Sequence, residues 1–210
     1  RSHVPPYAAA IFDLDGLLLD TERLAIATAY EALDHLGLPR ADGLFERLTG
    51  KDDATAMGEV AAHYGPGFPV EGFGAKWHGL FSARLDTGIP LRPGARDLLD
   101  MLEGLGIPRA VATSSRKPSA HRKLELTGLA HYFGAVVTVN CVERPKPAPD
   151  PYLLAARRLE QDPACCIAFE DSDTGASAAR SAGMVVVQVP DQIPTDGRHA
   201  HHLAQNLIDG

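Results

Sequence analysis

From residue 93 onward the chain repeats one rhythm, a helix-period stretch followed by a short apolar run. That alternation constrains the fold more than any other feature. Helical spacing over 95–105 carries Leu98, Leu99, Leu102 and Leu105, and the run 109–112 follows it. The pattern returns as a helix over 119–126 with a strand over 135–139, then 152–159 with 165–169, then 174–182 with 184–189. Strands that alternate with helices pair in parallel, and a parallel sheet is covered on both faces. The apolar run 8–12 reads as one more buried strand. The expected architecture is α/β, with a Rossmann-like parallel sheet core and helices on both faces.

Between residues 19 and 88 the rhythm stops and no strand pattern is present. Leu24, Ala27, Leu33 and Leu36 share a helical repeat that ends at Gly37 and Pro39. A short helix over 42–48 stops at Gly50. Asp52 or Asp53 is placed to cap a helix running to Tyr64, and a fourth helix covers 73–85. The block is therefore read as an inserted α-helical domain at 21–88, with 1–20 and 89–210 forming the α/β core. Phe45, Phe68, Phe73, Trp77 and Phe81 are expected to make the interior of the insert. The His-rich stretch 195–210, with His199, His201 and His202, is expected to be a solvated surface loop.

Composition excludes several classes of partner. A net charge of −7 over 210 residues argues against a nucleic-acid or anionic-membrane surface, so an anionic ligand needs a local positive site. No apolar run approaches the roughly 18 residues of a membrane span, and no leader pattern is recognised. Three cysteines, two of them the adjacent Cys165 and Cys166, make no disulfide framework. A reducing, cytoplasmic setting and a monomer are the expectations.

Open parallel sheets bind ligands beyond the carboxyl ends of their strands. Asp13 and Asp15 follow the first strand, with Gly16 after them; strand alternation sends both carboxylates the same way. Thr113 and Ser114 follow the second, Lys146 between Pro145 and Pro147 comes after the third, and Glu170 and Asp171 follow the fourth. Carboxylates without Cys or His are hard oxygen ligands suited to Mg2+, which relieves their mutual repulsion. The hydroxyls can bond phosphate oxygens, and a fixed ammonium can steady both a carboxylate and a phosphoryl group.

These residues resemble the haloacid dehalogenase (HAD) superfamily of phosphohydrolases, in the branch with a helical cap inserted after the first motif. Asp13-Leu14-Asp15-Gly16 is similar to its first motif, Ala112-Thr113 to its second, Lys146 to its third and Glu170-Asp171 to its fourth. The resemblance covers residues 8–20 and 90–190 and implies a Mg2+-dependent phosphatase acting on a small phosphorylated metabolite such as a sugar phosphate. In that reading Asp13 is the nucleophile, and Asp15 protonates the leaving alcohol and then activates water. Thr113, Ser114 and Lys146 hold phosphate, with Gly16, Glu22 and Lys51 as further substrate contacts. Asp13, the Asp15 carbonyl and Asp171 hold the metal, with Glu170 beside them. Asp15 separates phosphoryl chemistry from carbon–halogen cleavage, because the dehalogenases of the superfamily lack it.

Two other readings stay open. A phosphomutase similar to β-phosphoglucomutase uses a histidine where this chain has Ala25, and an arginine where it has Asp53. A non-catalytic binding protein on the same scaffold has no need for an acid at position 15.

Overall fold

The computed structural model describes residues 6–49, 51, 53–191 and 194–209. They form β1 (Ala9–Phe12), α1 (Thr21–His35), α2 (Leu44–Leu48), α3 (Asp53–Tyr64), α4 (Val70–Asp86), α5 (Ala95–Gly104), β2 (Arg109–Ala112) and α6 (Lys117–Leu126). After these come β3 (Ala135–Val137), α7 (Asp150–Arg158), β4 (Cys166–Glu170), α8 (Asp173–Ser181), β5 (Val185–Gln188) and β6 (His202–Leu203). The strands make one sheet in the order β3-β2-β1-β4-β5-β6, with every pair parallel. This is the doubly wound arrangement expected of the alternating segments, and its connections diverge on either side of β1.

The protein divides into two compact units, one of Arg1–Asp20 with Pro90–Gly210 and one of Thr21–Ile89. In the sheet unit all four residues of β1 are buried. Ala110, Ala112, Ala155, Ala168, Ala178 and Ala179 are fully buried as well, and such small side chains let helices lie close to the strands. Register is set at β1, where Phe12 pairs with Val111 on one side and Phe169 on the other. The Phe12 and Phe169 rings stack with centroids 4.9 Å apart. A slip of one residue would turn every side chain of β1 to the opposite face, so this pairing also decides what Asp13 meets.

Among the described residues the second unit holds helices α1 to α4 and no strand. Its interior contains Phe45 and Phe73, both buried, with Phe68 and Trp77 packed against them. The Trp77 indole N–H donates to the Ala25 carbonyl at 2.9 Å, and Tyr30 meets Phe45 edge-on. Phe81 is half-buried and stands apart from that cluster. Gly50 and Asp52, read above as a helix stop and a cap, lie outside the described residues.

Several boundaries differ from the sequence reading by one to three residues, and three of the differences bear on the sheet. The fourth strand runs one residue further and ends on Glu170, so this acid belongs to the strand and not to the loop. The third strand is shorter, because a 3-10 turn occupies Val139–Cys141. The His-rich stretch is no plain loop: His202–Leu203 pairs with β5, and the His201 Nδ1 accepts the Val186 N–H at 2.9 Å. Two residues are too few to show a strand period, and their pairing is decided by the free edge of β5.

Candidate active site

Asp13 leaves β1 with its N–H bonded to the Phe169 carbonyl at 3.0 Å, which places its carboxylate beside the end of β4. The loop that follows is tied to apolar anchors. Leu14, Leu17, Leu18 and Leu19 are all buried, and the Leu14 carbonyl accepts from Leu18 at 3.0 Å and from Leu19 at 3.1 Å. Gly16 turns this loop at φ +83°, a backbone region that side chains disfavour, and its N–H donates to Leu19 O at 2.8 Å. Leu14 is thus sunk into the core while its two neighbouring aspartates remain on the polar side.

Lys146 is the centre of this side. Its Nζ donates to Asp13 Oδ1 at 3.0 Å, to Ala112 O at 2.8 Å and to Glu170 Oε1 at 2.5 Å. That uses all three donors of an ammonium. The group also lies over the Tyr152 ring, 5.2 Å from its centroid. Burial alone would push this lysine down, but the Asp13 and Glu170 carboxylates hold it well above its ordinary range and so keep it charged.

Glu170 is fully buried, and its Oε1 also accepts from the Tyr152 hydroxyl. Its Oε2 is buried with no hydrogen-bond partner. Burial first, then repulsion from Asp13, push Glu170 up to about 7, although Lys146 pulls the other way. Asp13, Glu170 and Asp171 each offer a carboxylate oxygen, all within 4.8 Å of one another. Three acids face one ammonium, and one of their oxygens is orphaned. A hard divalent cation fits both the donor set and the charge deficit.

Asp15 faces elsewhere. Its Oδ1 accepts from Lys123 Nζ at 2.8 Å and its Oδ2 from the Ser115 hydroxyl at 2.5 Å. Its carboxylate therefore lies outside the acidic cluster, and only its carbonyl is left for the metal role expected above. Thr113 is 2% exposed, and its Oγ1 accepts the Ser115 N–H at 3.1 Å. Ser114 is exposed beside it. Glu22 lies in the first turn of α1. Lys51, also in the helical unit, is paired with Glu59 at 2.5 Å and is about two-fifths exposed.

The structure thus gathers Asp13, Asp15, Thr113, Lys146, Glu170 and Asp171 at one end of the sheet. Sequence reading overlooked Tyr152, Ser115 and Lys123. The last had a legible signal, since a lysine at 123 shares a helical stripe with the buried Ala120 and Leu124.

Gly175 is required by close approach. A Cβ there would come within 2.0 Å of the Glu170 carboxyl carbon. Gly175→Ala is therefore expected to force Glu170 off Lys146 and Tyr152 and to weaken divalent-cation binding by about 10- to 100-fold. Calorimetric titration of the metal checks this, and an unchanged affinity would show that Glu170 is not needed in place.

A family model for haloacid dehalogenase-like hydrolases matches residues 7–183. The fructose-1-phosphate phosphatase YqaB of Escherichia coli (strain K12) is 37% identical over 186 residues, covering 87% of this chain and 96% of that one. The phosphorylated carbohydrates phosphatase of Thermotoga maritima is 31% identical over 176 residues, covering 84% of this chain and 82% of its own length. Among solved structures, CbbY from Rhodobacter sphaeroides in complex with phosphate superposes with a TM-score of 0.80 at 27% identity, covering 96% and 95% of the two chains. In keeping with the strand-end residues above, the chain belongs to the haloacid dehalogenase-like hydrolases and is a phosphohydrolase.

Proposed function

We propose that the protein is a Mg2+-dependent phosphatase that hydrolyses a small phosphorylated metabolite, a sugar phosphate in the first instance, through an aspartyl-phosphate on Asp13. The observation that carries this is Asp13 itself, an acid 8% exposed with Oδ1 held by Lys146 at 3.0 Å. A carboxylate so fixed has one oxygen left to attack phosphorus, and the ammonium beside it offsets charge on the transferring group.

In the first step a bond forms between an Asp13 oxygen and phosphorus while the bond to the substrate oxygen breaks. The Asp15 carboxyl gives its proton to that leaving oxygen. In the second, water attacks phosphorus, its proton passes to Asp15, and the bond to Asp13 breaks to release phosphate. Thr113 and Ser114 bond the phosphate oxygens. Asp13, the Asp15 carbonyl and Asp171 would hold Mg2+ with Glu170 beside them, and the ion supplies the positive charge that lets an anionic phosphoryl group approach three acids.

Sugar phosphates are supported by the names of the two relatives at 37% and 31% identity. The helical unit, Thr21–Ile89, is assigned the part of a cap that chooses the substrate. Glu22 and Lys51 are its candidate contacts, Lys51 after release from Glu59. A cytoplasmic setting is supported by the free thiols of Cys141, Cys165 and Cys166. The described residues include no helix long and apolar enough to cross a membrane.

The test is phosphate release from a panel of phosphate esters with and without Mg2+. Sugar phosphates are expected to turn over only with the metal. No release from any ester would end this reading, and conversion between sugar phosphates without free phosphate would replace it with the mutase.

A further inference from the structure

Lys123 is a buried cation that none of the four motifs employs. It lies on α6, its residue is 5% exposed, and its immediate stripe neighbours Ala120 and Leu124 are buried apolar side chains. Burying an ammonium is costly unless a partner is held with good geometry. The partners here are Asp15 Oδ1 at 2.8 Å and Ser115 Oγ at 3.3 Å, and Ser115 in turn donates to Asp15 Oδ2 at 2.5 Å. The three side chains close a triangle, so both oxygens of one carboxylate are held by two different elements. One contact comes from the buried face of α6, the other from the segment between β2 and α6.

Two contacts on two oxygens do what one cannot. A single hydrogen bond leaves a carboxylate free to turn about its own bonds. A second contact on the other oxygen fixes the plane of the group as well as its position. Asp15 follows the Leu14 anchor by one residue in a loop turned by Gly16, so its backbone is already set. What remained adjustable was its χ1 and χ2, and the Lys123–Ser115 pair restricts those.

Resting on the phosphatase reading above, we infer that Lys123, with Ser115, is the positioning residue for Asp15, aligning the carboxyl group that passes a proton to the leaving oxygen. Lys123 touches neither Asp13 nor the acidic cluster among the contacts described, so its effect is confined to steps in which Asp15 moves a proton. Alignment to a fraction of an ångström is worth much of the rate that a general acid supplies.

The experiment compares wild type with Lys123→Met, which keeps the length and apolar stem of the side chain, and with Ser115→Ala as a milder variant. Rapid-quench kinetics separate the first chemical step on two substrates. One is a sugar phosphate, whose alkoxide needs a proton, and the other is p-nitrophenyl phosphate, whose nitrophenolate leaves without one. In Lys123→Met the first step on the sugar phosphate is expected to slow about 10- to 100-fold. The nitrophenol burst is expected to slow less than about threefold, with KM for both esters nearly unchanged, because general-acid help is then not needed. Ser115→Ala is expected to show the same asymmetry at smaller size.

Equal slowing on both substrates would overturn the inference in favour of a merely structural lysine, and so would no slowing on either. If Lys123→Met fails to fold, Ser115→Ala decides between the same outcomes. A wild-type protein inert to every ester overturns the phosphatase reading and this inference with it. An active wild type whose two variants are symmetric overturns the inference alone.

Discussion

Asp13→Asn is expected to abolish phosphate release, lowering kcat by about four to six orders of magnitude, the scale on which loss of a covalent nucleophile falls. The amide has nearly the shape of the carboxylate and its carbonyl can still accept from Lys146, so the site is not emptied. What disappears is the charge and the attacking oxygen. The stability of the variant separates this from unfolding. Asp13 is the acid whose repulsion helps push Glu170 up to about 7, and removing its charge relieves that strain. The same change takes one carboxylate from buried Lys146, so the metal-free variant is expected to compare best with wild type near pH 8, where Glu170 is ionised and still holds Lys146, and worst near pH 5, where Glu170 is neutral. Trapping with labelled substrate should show no phosphate on the protein. A variant that melts normally and keeps more than about one percent of kcat would remove Asp13 from the chemistry.

Lys146→Met comes second in size. The change leaves Asp13 and Glu170, which accept from Lys146 at 3.0 and 2.5 Å, without their shared cation. Taking one partner from a buried pair costs about 3–5 kcal/mol. The pH at which this is seen follows from Glu170. Its folded value of about 7 lies above its ordinary 4.5. Its favourable contribution is therefore complete below 4.5 and is lost as pH rises through 7. Without Lys146 the Tyr152 hydroxyl is left as the weaker downward pull on Glu170, and its value moves higher still. The deficit relative to wild type should be smallest near pH 5, where Glu170 is neutral in both proteins, and largest above pH 7. Urea unfolding of metal-free protein at the two pH values measures it, and saturating Mg2+ should restore part of the loss by supplying the missing charge. Activity is expected to fall about 10²- to 10³-fold even with the metal, since the cation that fixes Asp13 and offsets charge on the transferring group is then gone. A deficit that is the same at both pH values would contradict the arrangement of charges described here.

How much of this was legible before folding depends on the kind of contact. Asp13 and Asp15 were visible because the apolar run 8–12 ends abruptly on them, but their expected common direction did not hold: β1 stops at Phe12, and the Asp15 carboxylate turns to Lys123 and Ser115 while Asp13 meets Lys146. Glu170 was assigned to a loop one residue too early. An acid at the end of an apolar run looks like a boundary, whereas here Phe169 and Glu170 both pair with β5. Tyr152 carried no signal at all. It is an aromatic on an amphipathic helix, and only the placement of α7 against the sheet brings its hydroxyl to Glu170. The pairing of His202–Leu203 with β5 was equally silent, because two residues have no period to read.

By itself the amino-acid sequence determined the class of fold, the order of its segments and the residue types at the strand ends, since all of these follow from local periodicity and chain order. It also determined that an anionic ligand must be met by a few fixed cations or a metal, because the net charge is −7. The tertiary structure alone decided how those groups share their partners. Residues 133 positions apart, Asp13 and Lys146, meet at 3.0 Å, and Lys123 reaches Asp15 across 108. Such pairings arise from sheet register and helix docking, which sum many weak contacts over the whole unit and leave no mark in any short stretch of sequence.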